Sequence, residues 1–166
     1  MERIIIGFGS NQGESARIFR EAIETLRVCP HVDLVQASSY YRTKPVGPIQ
    51  QNWFINGVVE CLTALKPDEL LEALMDIEAD FGRVRDAKWG PRTLDLDILF
   101  YGDQMISLPH LEIPHPLIQE RLFVLMPLAE ITPRWVHPRY GTPVRELLTS
   151  LLHSPHDQQV ERLEIP

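Results

Sequence analysis

The alternation of hydrophobic and polar residues along the chain predicts the strands of one sheet. Residues 3–8 form a short apolar strand, which we expect to end at the turn Gly9-Ser10-Asn11, whose residues tolerate unusual backbone dihedrals. Residues 32–43 predict one long strand with apolar side chains on both faces, and residues 53–62 alternate between two faces. The same alternation at residues 94–100 predicts a fourth strand.

Apolar residues at helical spacing predict four helices. They fall at about 15–28, between Pro67 and Gly82, at 119–130 and at 142–152. Proline suits the first turn of a helix and glycine suits its C-terminal stop, so the second helix has the best-defined limits. The first two helices therefore lie between the first and second strands and between the third and fourth.

The order of these elements predicts an α+β fold. The order is strand, helix, strand, strand, helix, strand, which matches the ferredoxin-like βαββαβ arrangement. This arrangement is an antiparallel sheet with helices on one face, and here extra C-terminal helices follow it. The other face is expected to stay partly open for ligands. Residues 108–117, with three prolines and two histidines, predict an extended loop, and the polar tail 153–166 is expected to be frayed. We expect residues 1–166 to form one domain.

The fourth strand carries two acidic residues on one face. Asp95 and Asp97 are separated by one residue, so their side chains point the same way, roughly 6.5–7 Å apart along the strand. Aspartate is poorly suited to strands, and two like charges on one face are costly. Two such carboxylates can bind a hard cation such as Mg²⁺. The alternative is a solvated face on which the aspartates pair with arginines, which is common and weak.

A basic run lies directly before this strand in an otherwise acidic protein. Arg83, Arg85, Lys88 and Arg92 fall within ten residues. Guanidinium groups beside a bound cation can bind the oxygens of a polyphosphate and neutralise its charge. The chain contains no Walker-type Gly-x-x-x-x-Gly-Lys-Ser/Thr loop, which is the other common way to bind phosphate. These observations favour a nucleotide-dependent transferase that handles phosphate with metal ions and arginines.

Two loops rich in proline and glycine, 44–51 and 83–92, are candidates to close over a ligand, although ordinary surface connections have the same composition. Phe54 and Asn56 share one strand face beside the first loop, where a ring and an amide can stack on and hydrogen-bond a flat heterocycle. Trp89 in the second loop is a further stacking candidate.

Composition narrows the class of partner. The 166 residues carry a net charge of −7, which argues against nonspecific binding to nucleic acid or to an anionic membrane. No apolar run approaches the length of about 20 residues that a membrane span needs, and the N-terminus does not read as a signal peptide. Cys29 and Cys61 fit neither a disulfide framework nor a metal spacing. We expect a cytoplasmic monomer that acts on small molecules.

Several motifs resemble those of the 6-hydroxymethyl-7,8-dihydropterin pyrophosphokinase family of folate biosynthesis. They follow the family's order over residues 1 to about 130: Gly9-Ser10-Asn11, Tyr41-Arg42-Thr43, Gly47-Pro48, Phe54-Ile55-Asn56, Gly82-Arg83-Val84-Arg85, Trp89-Gly90-Pro91-Arg92-Thr93-Leu94-Asp95-Leu96-Asp97-Ile98, Pro114-His115 and Arg121-Leu122-Phe123. The resemblance implies an enzyme in which ATP, as co-substrate, donates its β,γ-pyrophosphoryl group to the hydroxymethyl oxygen of the pterin and leaves as AMP.

The resemblance also implies roles for individual side chains. Asp95 and Asp97 would be catalytic and would hold two Mg²⁺ ions. Arg83 and Arg92 would neutralise the charge that develops on the transferred group. The residues implied to bind ATP are Glu78, Arg85, Arg92, Ile98, His115 and Arg121. The residues implied to bind the pterin are Thr43, Val46, Phe54, Asn56, Trp89, Asp95 and Phe123.

Two other functions fit the same residues. One is a different Mg²⁺-dependent nucleotidyl- or phosphotransferase on this fold that acts on another alcohol. Met75 stands where the family often has a nucleotide-contacting glutamine and Lys44 replaces a proline, and these departures concern the adenine contacts and lid closure but not the chemistry. The other is a non-catalytic ferredoxin-like module that binds a small ligand or RNA. RNA binding predicts a basic surface, which the acidic composition does not provide.

Overall fold

The structure is a computed structural model and describes residues 1–11, 14–45, 48, 52–82 and 93–164. Five strands and two helices occupy the first hundred residues, and shorter elements follow. In chain order the elements are β1 Glu2–Ser10, α1 Ser15–Arg27, β2 Val32–Ala37, β3 Tyr40–Thr43, β4 Phe54–Thr63, α2 Pro67–Asp80, β5 Asp95–Tyr101, β6 Ile106–Leu108, β7 Leu111–Ile113, a 3₁₀ turn Ile118–Glu120, α3 Leu122–Ile131, β8 Val136–His137, β9 Thr142–Pro143, α4 Val144–His153 and β10 Val160–Leu163.

A six-stranded antiparallel sheet forms the centre of the molecule, in the order β10-β3-β4-β1-β5, with β2 also paired to β4. β2 and β3 follow one another along the same edge of β4, since Val32 pairs with Thr63 and Thr43 pairs with Phe54. Counting β2 and β3 as one interrupted strand gives the βαββαβ order, which confirms the predicted α+β fold.

Hydrophobic side chains cover both faces of the sheet. On β1, Ile4 and Ile6 point to the face that α1 and α2 cover, whereas Ile5 points to the face that α3 and α4 cover. This alternation follows from the period of two in a strand. The first two helices lie on one face as predicted, and the C-terminal helices close much of the opposite face. The uncovered part of that second face contains the candidate site.

The prediction of one strand over 32–43 is wrong at Ser38 and Ser39. The backbone N–H of Val58 donates to Ser38 Oγ at 3.0 Å, so a hydroxyl replaces a ladder acceptor at the break. The N–H and hydroxyl of Ser39 both donate to Glu130 Oε1 on α3, at 2.9 and 2.7 Å. Serine side chains that bond backbone in this way compete with regular strand pairing, and they divide the strand into β2 and β3.

Four other predicted limits differ from the structure. β1 continues through Gly9 and Ser10, because these residues pair with Asn56 and Ile55 of β4. The segment 108–117 is extended as predicted but includes β7, which pairs with β6 in a hairpin. The helix predicted at 119–130 is a 3₁₀ turn followed by α3, and the last helix begins at Val144, after the short strand β9.

Residues 160–163 of the polar tail form a strand. Strand β10 pairs antiparallel with β3, and Arg42 forms a salt bridge with Glu161 across the pair at 2.6 Å. A strand at the edge of a sheet can be largely polar because its stability comes from backbone hydrogen bonds to its neighbour. In the described part of the chain, no helix is both long enough and apolar enough to cross a bilayer.

Candidate active site

Two glycines of β1 form the floor of the candidate site. Gly9 pairs with Asn56 on one side and with Asp95 on the other, and Gly7 pairs with Asp97. A Cβ atom on Gly9 would lie 3.2 Å from Asn56 Nδ2 and 3.9 Å from the Cβ atom of Asp95. The absence of side chains at Gly7 and Gly9 therefore leaves a depression between the amide on β4 and the carboxylates on β5.

A cavity of about 510 Å³ lies above this floor. Its volume is in the range typical of small-molecule sites. The predicted site residues that line it are Thr43, Phe54, Asn56, Asp95, Asp97, His115, Arg121 and Phe123. They come from β3, β4, β5, the segment after β7 and the start of α3, so the fold brings together side chains that are far apart in the sequence.

The acidic end of the cavity is on β5. Asp95 is half-buried and Asp97 is exposed, and both line the cavity from the same strand face. Among the described residues, no group of three or more His, Cys, Asp or Glu side chains is placed to hold a metal ion. Two carboxylates suit Mg²⁺, which usually takes one or two from the protein and completes its coordination with water and phosphate oxygens.

His115 and Arg121 supply the basic groups that the structure describes beside the carboxylates. Burial lowers the pKa of His115, the nearby Asp97 raises it and Arg121 lowers it, with a net decrease. The N–H of Leu117 donates to His115 Nδ1 at 3.2 Å, so the proton of the neutral ring is on Nε2. Burial also lowers the pKa of Arg121, opposed by Asp97. A guanidinium and an imidazole N–H can both donate to phosphate oxygens.

The other end of the cavity combines aromatic rings with an amide. Asn56 is buried, its Oδ1 accepts a hydrogen bond from Thr43 Oγ1 at 3.2 Å, and its Nδ2 donates to the carbonyl of Phe8 at 3.3 Å. Phe54 and Phe123 line the same cavity, and the guanidinium of Arg121 lies 5.4 Å from the centre of the Phe123 ring. Rings beside a fixed amide can bind a flat, polar-edged heterocycle.

Two predicted nucleotide contacts do not line this cavity. Glu78 is buried on α2, and its Oε1 accepts the backbone N–H of Leu96 at 3.3 Å. Ile98 belongs to the core under α1 and α2. Ile98 belongs to β5 and points to the face away from the carboxylates, and Glu78 bonds the same strand from α2. The predicted residues that fall outside the described part of the chain are Val46, Arg83, Arg85, Trp89 and Arg92.

The sequence reasoning missed the role of the glycine floor. Gly9 was assigned to a turn, and Gly7 had no role. The available signal was two glycines spaced by two in a strand pattern, which indicates close approach of a ligand or another backbone. Lys44 and Pro45 also line the cavity, beside the predicted Thr43.

Comparison with known proteins identifies close relatives. Residues 5–133 match the family model described as 7,8-dihydro-6-hydroxymethylpterin-pyrophosphokinase (HPPK). A Synechocystis protein named 2-amino-4-hydroxy-6-hydroxymethyldihydropteridine pyrophosphokinase is 46% identical over 144 residues, which cover 87% of this chain and 73% of the relative. A Methylorubrum extorquens protein of the same name is 44% identical over 151 residues, covering 91% of this chain and 94% of the relative.

Solved structures with a similar fold come from larger chains. The crystal structure of wild-type Plasmodium falciparum HPPK-DHPS with SDX-DHP aligns with a TM-score of 0.70 and 16% sequence identity, over 90% of this chain. The aligned part is 43% of that chain, so the protein described here spans less than half of its length. At 16% identity, this structural similarity supports the assignment of the fold alone.

Proposed function

Because this chain belongs to the 7,8-dihydro-6-hydroxymethylpterin-pyrophosphokinase family, we propose that it transfers the β,γ-pyrophosphoryl group of ATP to the hydroxymethyl oxygen of 6-hydroxymethyl-7,8-dihydropterin. A bond forms between that oxygen and the β-phosphorus, the bond between the β-phosphorus and the α,β-bridging oxygen breaks, and the hydroxyl proton is released. The products are the pterin diphosphate and AMP, which places the reaction in folate biosynthesis.

The observation that carries the proposal is that one cavity joins two chemically different ends. Phe54, Asn56 and Phe123 provide rings and an amide at one end, while Asp95 and Asp97 provide carboxylates at the other. A pterin between the rings would direct its hydroxymethyl group toward the carboxylates, where the triphosphate would lie. Such positioning is the main contribution that an enzyme makes to in-line phosphoryl transfer.

At the pterin end, the side chain of Asn56 is already held in place by hydrogen bonds within the protein. Asn56 is held by Thr43 and by the carbonyl of Phe8, so its amide needs little reorganisation when a ligand arrives. A site built to hydrogen-bond its substrate rejects analogues that lack the matching groups. We propose that Asn56 and the backbone near Thr43 select the edge of the pterin ring, while Phe54 and Phe123 stack on its faces.

At the phosphate end, Arg121 and His115 would hold oxygens of the nucleotide. His115 is neutral at pH 7 because its pKa is lowered, and its Nε2–H is a donor. Arg121 remains positive and reaches over Phe123, so one cation borders both substrates. Arg83, Arg85 and Arg92 lie outside the described residues, and their contribution to charge neutralisation stays a prediction, as do lid closure by Trp89 and the nucleotide contacts of Glu78 and Ile98.

The donor set on β5 fits Mg²⁺, and we propose that Asp95 and Asp97 hold two such ions. When bound there, Mg²⁺ would neutralise phosphate charge and lower the pKa of the substrate hydroxyl. The carboxylates themselves orient the phosphate end relative to Asn56, across two interstrand spacings of roughly 5 Å each. A monomeric state, a cytoplasmic location and the absence of a nucleic-acid partner stay predictions.

The direct test is to incubate the protein with ATP, Mg²⁺ and the hydroxymethyl dihydropterin and to identify the nucleotide produced. We expect AMP and pterin diphosphate in equal amounts. ADP would indicate a simple phosphotransferase instead. A protein that binds the pterin without consuming ATP would indicate a ligand-binding module.

Omission of Mg²⁺ should stop the reaction, and its return should restore it. Turnover that persists in the presence of a metal chelator would contradict the proposed role of the carboxylates.

A further inference from the structure

The C-terminal segment 157–163 contacts both walls of the cavity. Its strand β10 pairs with β3, with Val160 opposite Thr43, and the carbonyl of Gln159 accepts the backbone N–H of Lys44 at 3.1 Å. On the other wall, Gln158 is bonded to the start of α3. Adjacent residues of this segment therefore hold the β3 wall and the α3 wall at a fixed separation.

Gln158 bonds the two residues that flank Arg121. Its Oε1 accepts the backbone N–H of Leu122 at 2.9 Å, and its Nε2 donates to the carbonyl of Glu120 at 2.9 Å. Arg121 has an extended backbone conformation at the N-cap of α3, with φ −120° and ψ 107°. The amide of Gln158 thus fixes the backbone on both sides of a residue that lines the cavity.

The start of α3 needs this support for two reasons. Within the described residues, the side chain of Arg121 makes no capping hydrogen bond, because a guanidinium has no acceptor for the free N–H groups of the first turn. A helix whose N-cap residue does not cap leaves its first N–H groups to other acceptors. In addition, Pro127 lies inside α3 and has no N–H, so the helical bond to the carbonyl of Phe123 cannot form.

We propose that Gln158 is a positioning residue that caps α3 from a distance and thereby places Arg121 and Phe123 for substrate binding. This inference rests on the proposed function, and it assigns a role in the site to a residue outside the range 5–133 that matches the family model. Gln158 acts through α3 and makes no contact with the reacting atoms.

The chain offers a matched control at the opposite end of α3. Gln36 also makes two side-chain hydrogen bonds, to Glu60 Oε2 at 2.7 Å and to the carbonyl of Ile131 at 3.1 Å. The two ends of the ten-residue helix are about 14 Å apart, at a rise of 1.5 Å per residue. Gln36→Ala and Gln158→Ala therefore remove the same number of bonds from the same kind of side chain, but only Gln158 of the two bonds the end of α3 that lines the cavity.

The experiment measures the affinity of a non-hydrolysable ATP analogue with Mg²⁺, and then of the pterin, by calorimetry at a temperature where thermal unfolding curves show every variant folded. A displacement of a substrate-positioning group by about 1 Å can cost as much as a hundredfold in rate, and we expect the smaller displacement in Gln158→Ala to weaken the binding of both ligands about tenfold. Gln36→Ala should stay within about twofold of wild type. Gln158→Glu keeps the acceptor for Leu122 and adds a negative charge that suits a helix N-terminus, so it should regain at least part of the affinity.

Amide hydrogen exchange gives a readout that does not depend on the reaction. Gln158→Ala should accelerate exchange at residues 122–125, and Gln36→Ala should leave it unchanged there. Equal affinities and equal exchange in the two alanine variants would overturn the positioning role, as would a Gln158→Glu variant as weak as Gln158→Ala. If the wild-type protein produced no AMP, the proposed reaction would fail, and the exchange and nucleotide-affinity data would still decide the role of Gln158.

Discussion

Replacement of Gly9 by alanine tests whether the glycine floor determines pterin affinity. The added Cβ atom would lie 3.2 Å from Asn56 Nδ2, which is tighter than an ordinary contact, so Asn56 must move by a few tenths of an ångström. The hydrogen bonds of Asn56 to Thr43 and to Phe8 are already long, at 3.2 and 3.3 Å, and a shift of this size would break at least one of them.

The loss of one such bond costs about 1 kcal/mol of stability. A displaced amide at the pterin edge should cost about 1.4 kcal/mol of binding free energy, which is a tenfold loss of pterin affinity. The same Cβ atom would be 3.9 Å from the Cβ of Asp95, an ordinary contact, so the phosphate end should be unaffected. Calorimetric titration of Gly9→Ala should therefore show weakened pterin and an affinity for the ATP analogue within about twofold of wild type.

Gly57→Ala is the matched control. Gly57 lies next to Asn56 on β4 and lines the cavity, but an added Cβ atom would lie on the opposite face, 3.3 Å from Ser38 Oγ. We expect a similar small loss of stability and no change in either affinity. Equal weakening of pterin and nucleotide in Gly9→Ala, or an effect of Gly57→Ala on pterin as large as that of Gly9→Ala, would refute the reasoning.

Three further substitutions test other parts of the structure. Asp97→Ala should abolish AMP formation while the unfolding midpoint stays close to wild type, and turnover near the wild-type rate would reject the metal role. Phe123→Ala should weaken pterin much more than the ATP analogue in calorimetry, and equal loss of both would contradict stacking. Glu130→Gln should lower the free energy of unfolding by about 1 kcal/mol at pH 7, because the partly exposed carboxylate accepts hydrogen bonds from Tyr41 and Ser39 and glutamine keeps only one acceptor oxygen. Although burial raises the pKa of Glu130, these bonds and Arg162 lower it overall, so the stabilisation is complete above the unfolded pKa near 4.5 and is lost as the pH falls through the folded value. Urea unfolding at pH 7 and near pH 3 should show the difference between wild type and variant shrinking at the lower pH.

The sequence by itself determined the features that depend on local periodicity. The alternation at residues 94–100 places Asp95 and Asp97 on one face of a strand, whatever that strand pairs with. The apolar stripe of α2 and its stop at Gly82, which has a φ of +79°, were likewise readable from spacing and residue type. The α+β class followed from the order of the helices and strands, because only a few ways of packing these elements bury the apolar face of each one.

Only the tertiary structure decided which of these local features meet. Gly9 forms part of the cavity floor because β1 lies between β4 and β5. The sequence around a glycine does not show which strands will pair with the strand that contains it. Residues 160–163 of the polar tail form a strand because the backbone groups of β10 pair with those of β3, an interaction that side-chain patterns do not predict. Gln158 gains its partners on α3 only when residues 36 positions apart come together. Local pattern fixes the direction of side chains, whereas the cavity depends on contacts between distant segments, which form only when the whole sheet is assembled.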